Sequence, residues 1–129
     1  NKFINELSGG QSQRAFLAMT IAQNTNILLL DEPTTFLDIN YQIKFLESLK
    51  NLIQIKKISI ITVLHDVNLA ARFCDRIAIL KKGKLIDINI PEKVLNRENF
   101  KKGFAIDSHI INTPVGIQIF PVSETWYWV

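Results

Sequence analysis

A short, wholly apolar run at Ile27–Leu30 ends abruptly in two acids, Asp31 and Glu32, and this pattern constrains the fold more than any other. Such a run is typical of a strand buried on both faces of a parallel sheet. A β-branched run at Ile58–Leu64 predicts a second buried strand, which ends at His65. Because parallel strands need a crossover between them, the two runs predict a βαβ unit and an α/β fold.

Helical spacing flanks the first predicted strand on both sides. Upstream, apolar residues recur at i, i+3, i+4 and i+7 over residues 11–22, at Ala15, Ala18, Met19 and Ala22. The run Ser8-Gly9-Gly10 stands just before this stripe, where a helix start is expected. Between the strands, helical spacing links Ile39, Gln42, Ile43, Leu46, Leu49 and Ile53. These patterns predict two helices, and Asp66 is placed to cap a third, short one.

The remainder of the chain predicts short elements rich in strands. Two runs, Arg76–Leu80 and Lys84–Ile88, flank a turn at residues 81–83 and predict a hairpin. Pro91 suits the first turn of a helix over residues 92–95, and Gly103 is predicted to end another. Residues 105–111 and 116–122 read as strands. We therefore expect a small C-terminal segment rich in β-structure.

Composition excludes few classes of protein. The chain has 129 residues and a formal net charge of +3, which is too mild an excess to argue for nucleic-acid binding. A single cysteine, Cys74, cannot form an internal disulfide and fits a reducing compartment. The sequence contains no apolar run near the roughly 18 residues of a membrane span.

Glycines at a predicted helix start are the first candidate ligand site. The backbone N–H groups of Gly9 and Gly10 and the positive end of the helix dipole suit a phosphate, and Ser8 adds a hydroxyl donor. Simple N-capping would explain a lone Ser-Gly-Gly equally well. The longer motif, which extends from Leu7 to Gln11, is more specific.

The strand ends supply the second group of candidates. Asp31, at the tip of the first strand, is placed to hold Mg²⁺ through water, and Glu32 is placed to polarise an attacking water. Acid pairs in such positions are often only turn residues. His65, at the end of the second strand, would on its own be a partly buried polar group.

Together these motifs resemble the ATP-binding cassette (ABC) ATPases. Residues 7–11 are similar to the family's signature motif, 27–32 to its Walker B strand with the catalytic glutamate, and 34–38 to its D-loop. The resemblance implies that Glu32 and His65 are catalytic and that His65, the switch histidine, contacts the γ-phosphate. It also implies that Ser8, Gly9, Gly10 and Gln11 act on the ATP of a partner subunit, toward which Asp38 reaches.

Residues that are less specific than these motifs indicate a subfamily. The stretches 41–43, 65–75 and 91–95 are similar to ATPase subunits of importers for iron chelates, haem and cobalamin. That resemblance implies ATP and Mg²⁺ as ligands and a second ATPase subunit in a homodimer. It also implies membrane permease subunits as partners, no nucleic acid, and a place at the cytoplasmic face of the membrane.

A phosphate-gripping G-x-x-x-x-G-K-[ST] loop is absent from these 129 residues. We therefore expect the C-terminal portion of one ABC ATPase domain, a partial P-loop NTPase sheet of the RecA-like type without its P-loop strand. Its motif-bearing core would cover residues 1–90 and a C-terminal extension residues 91–129. As an isolated chain it is expected to be inactive. Two alternatives are the C-terminal ATPase segment of a chromosome-maintenance or DNA-repair protein and a non-functional split-gene remnant.

Overall fold

The computed structural model describes residues 9–122, whose helices and strands belong to two units that divide between His65 and Asp66. The elements of the first unit are α1 (Gly9–Ala22), β1 (Ile27–Asp31), α2 (Ile39–Lys56) and β2 (Ser59–Val63). The second unit contains α3 (Val67–Phe73), β3 (Ile77–Lys81), β4 (Lys84–Asn89), α4 (Pro91–Val94), α5 (Arg97–Phe104), β5 (Asp107–Thr113) and β6 (Gly116–Val122). Within the described range, no helix is long and apolar enough to cross a membrane.

The first unit is built on a parallel pair of strands. β1 and β2 pair in register from Ile27 opposite Ser59 to Asp31 opposite Val63, with α2 as the connection and packed on β2. Leu28 is buried on one face of this pair, and α2 buries Phe45, Leu46 and Leu49. The predicted βαβ unit, and with it the α/β fold class, is confirmed.

The other face of the parallel pair differs from the expectation. Alternate residues of a strand point to opposite faces, and those on this face are large, apolar and exposed: Ile27, Leu29, Ile61 and Val63. The prediction that both faces are buried is therefore wrong for this face among the described residues. A continuous apolar run cannot by itself show which element covers each face.

Helix α1 also departs from its predicted pattern. Gly9 and Gly10 belong to the helix rather than preceding it. Met19, a member of the predicted apolar stripe, is 59% exposed, whereas Leu17 and Ile21 outside the stripe are half-buried. Small alanines at helical spacing gave a period without enough side-chain volume to specify the buried face.

Two antiparallel hairpins form the strands of the second unit; the first was predicted as a hairpin, and the second was predicted only as two strands. β3 and β4 are joined by Lys82 and Gly83, with φ values of +48° and +74°. Positive φ at both positions of a two-residue loop is the geometry that matches the twist of a hairpin, and it favours glycine. β5 and β6 pair from Asp107 opposite Val122 to Thr113 opposite Gly116.

The core of the second unit draws on most of its elements. Its buried members are Ala71, Ile79, Val94, Leu95, Phe100, Ile117 and Ile119. The side chain of Asn68 in α3 donates to the Ile119 carbonyl at 3.1 Å and accepts from the Ile119 N–H at 2.8 Å, so one amide pairs with both backbone groups of this β6 residue. The second unit is thus held by packing and by side-chain to backbone hydrogen bonds.

Helix α5 corrects one predicted boundary. Gly103 lies inside this helix, which ends instead at Phe104 and has Ala105, a residue in the left-handed region with φ +59°, as its C-cap. The two units divide between His65 and Asp66, and α4 packs against β3 and β4 across the expected boundary at residue 90. The assignment of residues 1–90 and 91–129 to separate functional parts stays a prediction.

Candidate functional site

The carboxyl ends of β1 and β2 bring the predicted catalytic residues together. The two strands are parallel and in register, so Asp31 at the end of β1 lies opposite Val63 at the end of β2. Glu32 follows the first strand directly, and His65 follows the second after one intervening residue. Strand pairing therefore carries two residues that are 33 positions apart in sequence to one edge of the sheet.

Glu32 and His65 meet at this edge. The Nε2 atom of His65 lies 2.6 Å from the Oε1 atom of Glu32, and the side chains are 71% and 41% exposed. Ion pairs in such exposed positions contribute only about 0–1 kcal/mol to stability. A short contact of little structural value between two polar side chains, at the end of a parallel sheet, is typical of a functional site.

The backbone of Glu32 adopts an uncommon conformation. Its φ is +46°, in the left-handed region that non-glycine residues seldom occupy. Two contacts from Thr35 accompany it, the N–H to the Glu32 carbonyl at 3.3 Å and the Oγ1 hydroxyl to Oε2 at 3.3 Å. Both carboxylate oxygens of Glu32 therefore have partners. The role of Thr35 could not be predicted from the sequence, because only the turn brings its hydroxyl back to residue 32.

The loop that follows Glu32 is anchored from α2. Pro33 and Thr34 are buried, and the Leu37 N–H donates to the Thr34 carbonyl at 3.1 Å. The Nε2 group of Gln42 donates to the carbonyls of Thr34 at 3.2 Å and Leu37 at 2.9 Å. In the sequence, Gln42 was only one position of a helical pattern and one of the residues that resemble the subfamily.

Asp38 has a local role that its motif did not predict. It is the N-cap of α2, with an extended backbone and a side-chain oxygen, Oδ1, that accepts from the Tyr41 N–H at 3.1 Å. Capping of this kind satisfies a helix N–H that would otherwise lack a partner. The reach of Asp38 toward a partner subunit stays a prediction.

The predicted signature residues lie at the start of α1. Gly9 and Gly10 are its first residues and Gln11 is exposed, whereas Ser8 lies outside the described residues. The first N–H groups of an α-helix have no partner within the helix. Gly9 and Gly10 thus present backbone donors of the kind that a phosphate requires.

Asp31 is the candidate for Mg²⁺. Its side chain is exposed at the end of β1, and the described residues hold no cluster of three or more His, Cys, Asp or Glu side chains that could ligate a metal. Mg²⁺ usually keeps several waters and binds through one or two carboxylates together with the phosphates of a substrate. A single accessible carboxylate fits that mode of binding, in which Asp31 would hold the ion through water.

A small cavity lies at the opposite ends of the same strands. Its volume is about 60 Å³, and its lining includes Thr20, Asn24, Leu28 and Lys56. Ligand pockets usually measure about 300–1,000 Å³. This cavity is too small for a nucleotide, and it is not joined to the edge that carries Glu32 and His65, because it opens near the amino ends of β1 and β2.

Comparison with known proteins agrees with the motifs. The ABC transporter family matches residues 1–35. The petrobactin import ATP-binding protein FpuC of Bacillus anthracis is 50% identical over 109 residues, which are 84% of this chain and 40% of that protein. The chain is a homologue of ABC transporter ATP-binding proteins. A second such protein, the ferric enterobactin transport ATP-binding protein FepC of Escherichia coli strain K12, is 42% identical over 87% of this chain and 41% of its own length.

Solved structures of ABC proteins share the fold of this chain. An inward-facing transporter assigned to the metal-chelate ABC type matches with a TM-score of 0.83 and 25% identity over 97% of this chain and 51% of that one. The dimeric, post-hydrolysis structure of the ATP-binding cassette MJ0796 with ADP and Pi matches with a TM-score of 0.61 and 39% identity. That match covers 67% of this chain and 37% of the MJ0796 chain. The predicted ABC resemblance and P-loop NTPase fold are confirmed. The chain spans about two fifths of the length of the curated relatives it matches.

Proposed function

We propose that this chain supplies the hydrolytic and signature elements of an ATP-binding subunit of an ABC importer, and that the imported solute is an iron chelate. The observation that carries the proposal is the 2.6 Å contact between Glu32 and His65 at the carboxyl edge of the parallel pair. The names of the relatives support the solute class, since they include a ferric enterobactin transport protein and a petrobactin import protein.

In this proposal, Glu32 is the general base. Its carboxylate would orient an attacking water and take up a proton from it as the bond to the γ-phosphorus forms. His65 holds that carboxylate through Nε2. The family resemblance further implies that His65 contacts the γ-phosphate. Thr35, on the second oxygen of Glu32, would fix the rotation of the carboxylate.

The other candidate residues act around this pair. Asp31 would hold Mg²⁺ through water, and the bound ion neutralises charge on the phosphates. The backbone donors of Gly9 and Gly10, with Ser8 and Gln11, would bind the triphosphate held by a second ATPase subunit. Asp38 would contact that subunit while it caps α2. These roles are proposed from the family resemblance and from the positions of the described residues.

The assembly that follows from the proposal has two kinds of subunit. Two ATPase subunits would form a homodimer, which is supported by the dimeric structure of MJ0796 with ADP and Pi. Membrane permease subunits would bind the dimer at the cytoplasmic face of the membrane. Because the reported relatives are named as import and transport ATP-binding proteins, the similarity favours this function over a chromosome-maintenance or DNA-repair ATPase.

Substitution of the proposed base tests the activity. In the complete ATPase that contains these residues, Glu32→Gln keeps the side-chain shape and removes the base, so turnover should fall by about 10²–10⁴-fold while ATP binding is retained. Glu47→Gln, which makes the same change at an exposed position of α2, is the matched control and should retain full turnover. Near-normal turnover of Glu32→Gln would show that Glu32 is not the base.

Uptake measurements test the solute class separately. Cells that carry the wild-type protein should accumulate a radiolabelled ferric siderophore, and cells that carry Glu32→Gln should not. Labelled cobalamin, offered to the same cells, is the competing substrate. Uptake of cobalamin but not of any ferric chelate would leave the ATPase assignment in place and overturn the iron-chelate assignment.

A further inference from the structure

One side chain joins α2 to the middle of the loop between Glu32 and Asp38. Gln42 is half-buried, and its Nε2 group donates to two carbonyls, those of Thr34 at 3.2 Å and Leu37 at 2.9 Å. Carbonyl oxygens accept and do not donate, so only the NH₂ end of the amide can serve both. The contact therefore depends on a donor group at position 42 and not on side-chain volume alone.

The loop has few other contacts among its own backbone groups. The N–H of Thr35 lies 3.3 Å from the Glu32 carbonyl, and that of Leu37 lies 3.1 Å from the Thr34 carbonyl. Neither of these backbone hydrogen bonds joins the loop to α2. Phe36, at the tip, is 89% exposed and adds no packing. The amide of Gln42 is thus a main link between the loop and the helix.

The link lies close to the catalytic carboxylate along the chain. Thr34, whose carbonyl Gln42 holds, is two residues from Glu32, and the residue between them is the buried Pro33. The ring of proline fixes its φ near −65°, so few soft dihedral angles separate the held carbonyl from Glu32. A shift of the loop would consequently move the Glu32 carboxylate relative to His65.

We propose that Gln42 is a positioning residue for hydrolysis, which holds the loop on α2 and thereby keeps the Glu32 carboxylate in its reactive place. The inference rests on the proposed role of Glu32 as the base. It adds a residue that does not touch the reacting atoms and acts only through the loop. A displacement of about 1 Å at a reacting group can reduce a rate by about 10²-fold. A donor that holds the carbonyl of Thr34, two residues from Glu32, can therefore affect turnover.

The test compares two glutamines on the same helix. Gln42→Met keeps the length of the side chain and removes its donor, while Gln54→Met makes the identical change at an exposed position of α2. In the complete ATPase, Gln42→Met should lower kcat by about tenfold or more and change the KM for ATP by less than about threefold. Gln54→Met should leave both constants unchanged.

Hydrogen exchange gives a readout that does not need activity. In the 129-residue chain, the Leu37 N–H should exchange faster in Gln42→Met than in Gln54→Met, because the turn at 34–37 has lost its anchor. Equal kcat in the two variants, with Glu32→Gln still inactive, would overturn the positioning role and leave Glu32 as the base. An active Glu32→Gln would instead overturn the proposed function itself. Equal exchange at Leu37 would show that the amide does not hold the loop.

Discussion

Gly103 of α5 lies so close to Ile79 of β3 that a Cβ atom at position 103 would stand 2.8 Å from the Ile79 Cγ2 atom. That separation is shorter than real Cβ contacts allow, and Ile79 is buried and β-branched, so its methyl group has little freedom to move. The glycine permits the close approach of the helix to the hairpin in the second unit.

Gly103→Ala should therefore destabilise the second unit, although alanine normally favours a helix over glycine by about 1 kcal/mol. Overpacking of a core costs about 1–3 kcal/mol, and we expect the free energy of unfolding to fall by that amount. Urea denaturation of the 129-residue chain measures the change. In an Ile79→Leu background, which removes the clashing methyl group, Gly103→Ala should cost much less, and an equal cost in both backgrounds would contradict the steric explanation.

Asp107 makes a pH-dependent contribution to the stability of the second unit. Hydrogen bonds from the Arg97 side chain and then from the Ser108 N–H lower the pKa of the Asp107 carboxyl from its ordinary value to about 2. A carboxyl whose pKa is lower in the folded state than in the unfolded state stabilises the protein at higher pH. The stabilisation is present above about pH 4 and is lost as the pH falls toward about 2.

Asp107→Asn should remove that pH dependence. The difference in urea midpoint between wild type and Asp107→Asn should be largest above about pH 4 and should shrink as the pH approaches 2. Asp75→Asn changes an exposed carboxyl of the same unit and is the control. A difference between wild type and Asp107→Asn that stays constant from pH 6 to pH 2 would show that the Arg97 contact does not shift the titration of Asp107.

Two roles at Asp38 can be separated by choice of substitution. Asp38→Ala removes the cap of α2 and should lower the free energy of unfolding by about 0.5–2 kcal/mol. Asp38→Asn keeps an oxygen that can accept from the Tyr41 N–H and should preserve stability. If the charge of Asp38 also contacts a partner subunit, Asp38→Asn should lower the ATPase activity of the dimer without lowering stability. Full activity and stability of Asp38→Asn would leave capping as its role.

Local sequence patterns predicted most of the elements. β1 and β2 follow from two apolar runs, the β3–β4 hairpin follows from Lys82 and Gly83 between two apolar strands, and Asp66 caps α3 as expected, accepting from two N–H groups of the helix. Each of these depends on residues within a few positions of one another. The same is true of the candidate pair, because parallel strands place their ends together whatever lies between them.

Features that depend on contacts between elements were not predicted. The sequence predicts Gly103 as a helix end because glycine favours that position, whereas in the structure the packing of Ile79 requires the glycine. Gln42 was one residue of a helical pattern, although its amide serves the loop before the helix. The buried face of α1 was likewise assigned wrongly from spacing alone. A sequence period reports which residues share a face, and it does not report which neighbour that face meets.

Glu32 and His65 are proposed to work as one hydrolytic pair, and a double-mutant cycle on turnover tests this most directly. In the complete ATPase, kcat is measured for wild type, Glu32→Gln, His65→Ala and the double variant, with ATP binding checked in each. Residues that act as a unit show strongly non-additive losses. We predict that the double variant is about as slow as the slower single variant. Losses that multiply, so that the double variant is slower by the product of the two single effects, would contradict the account.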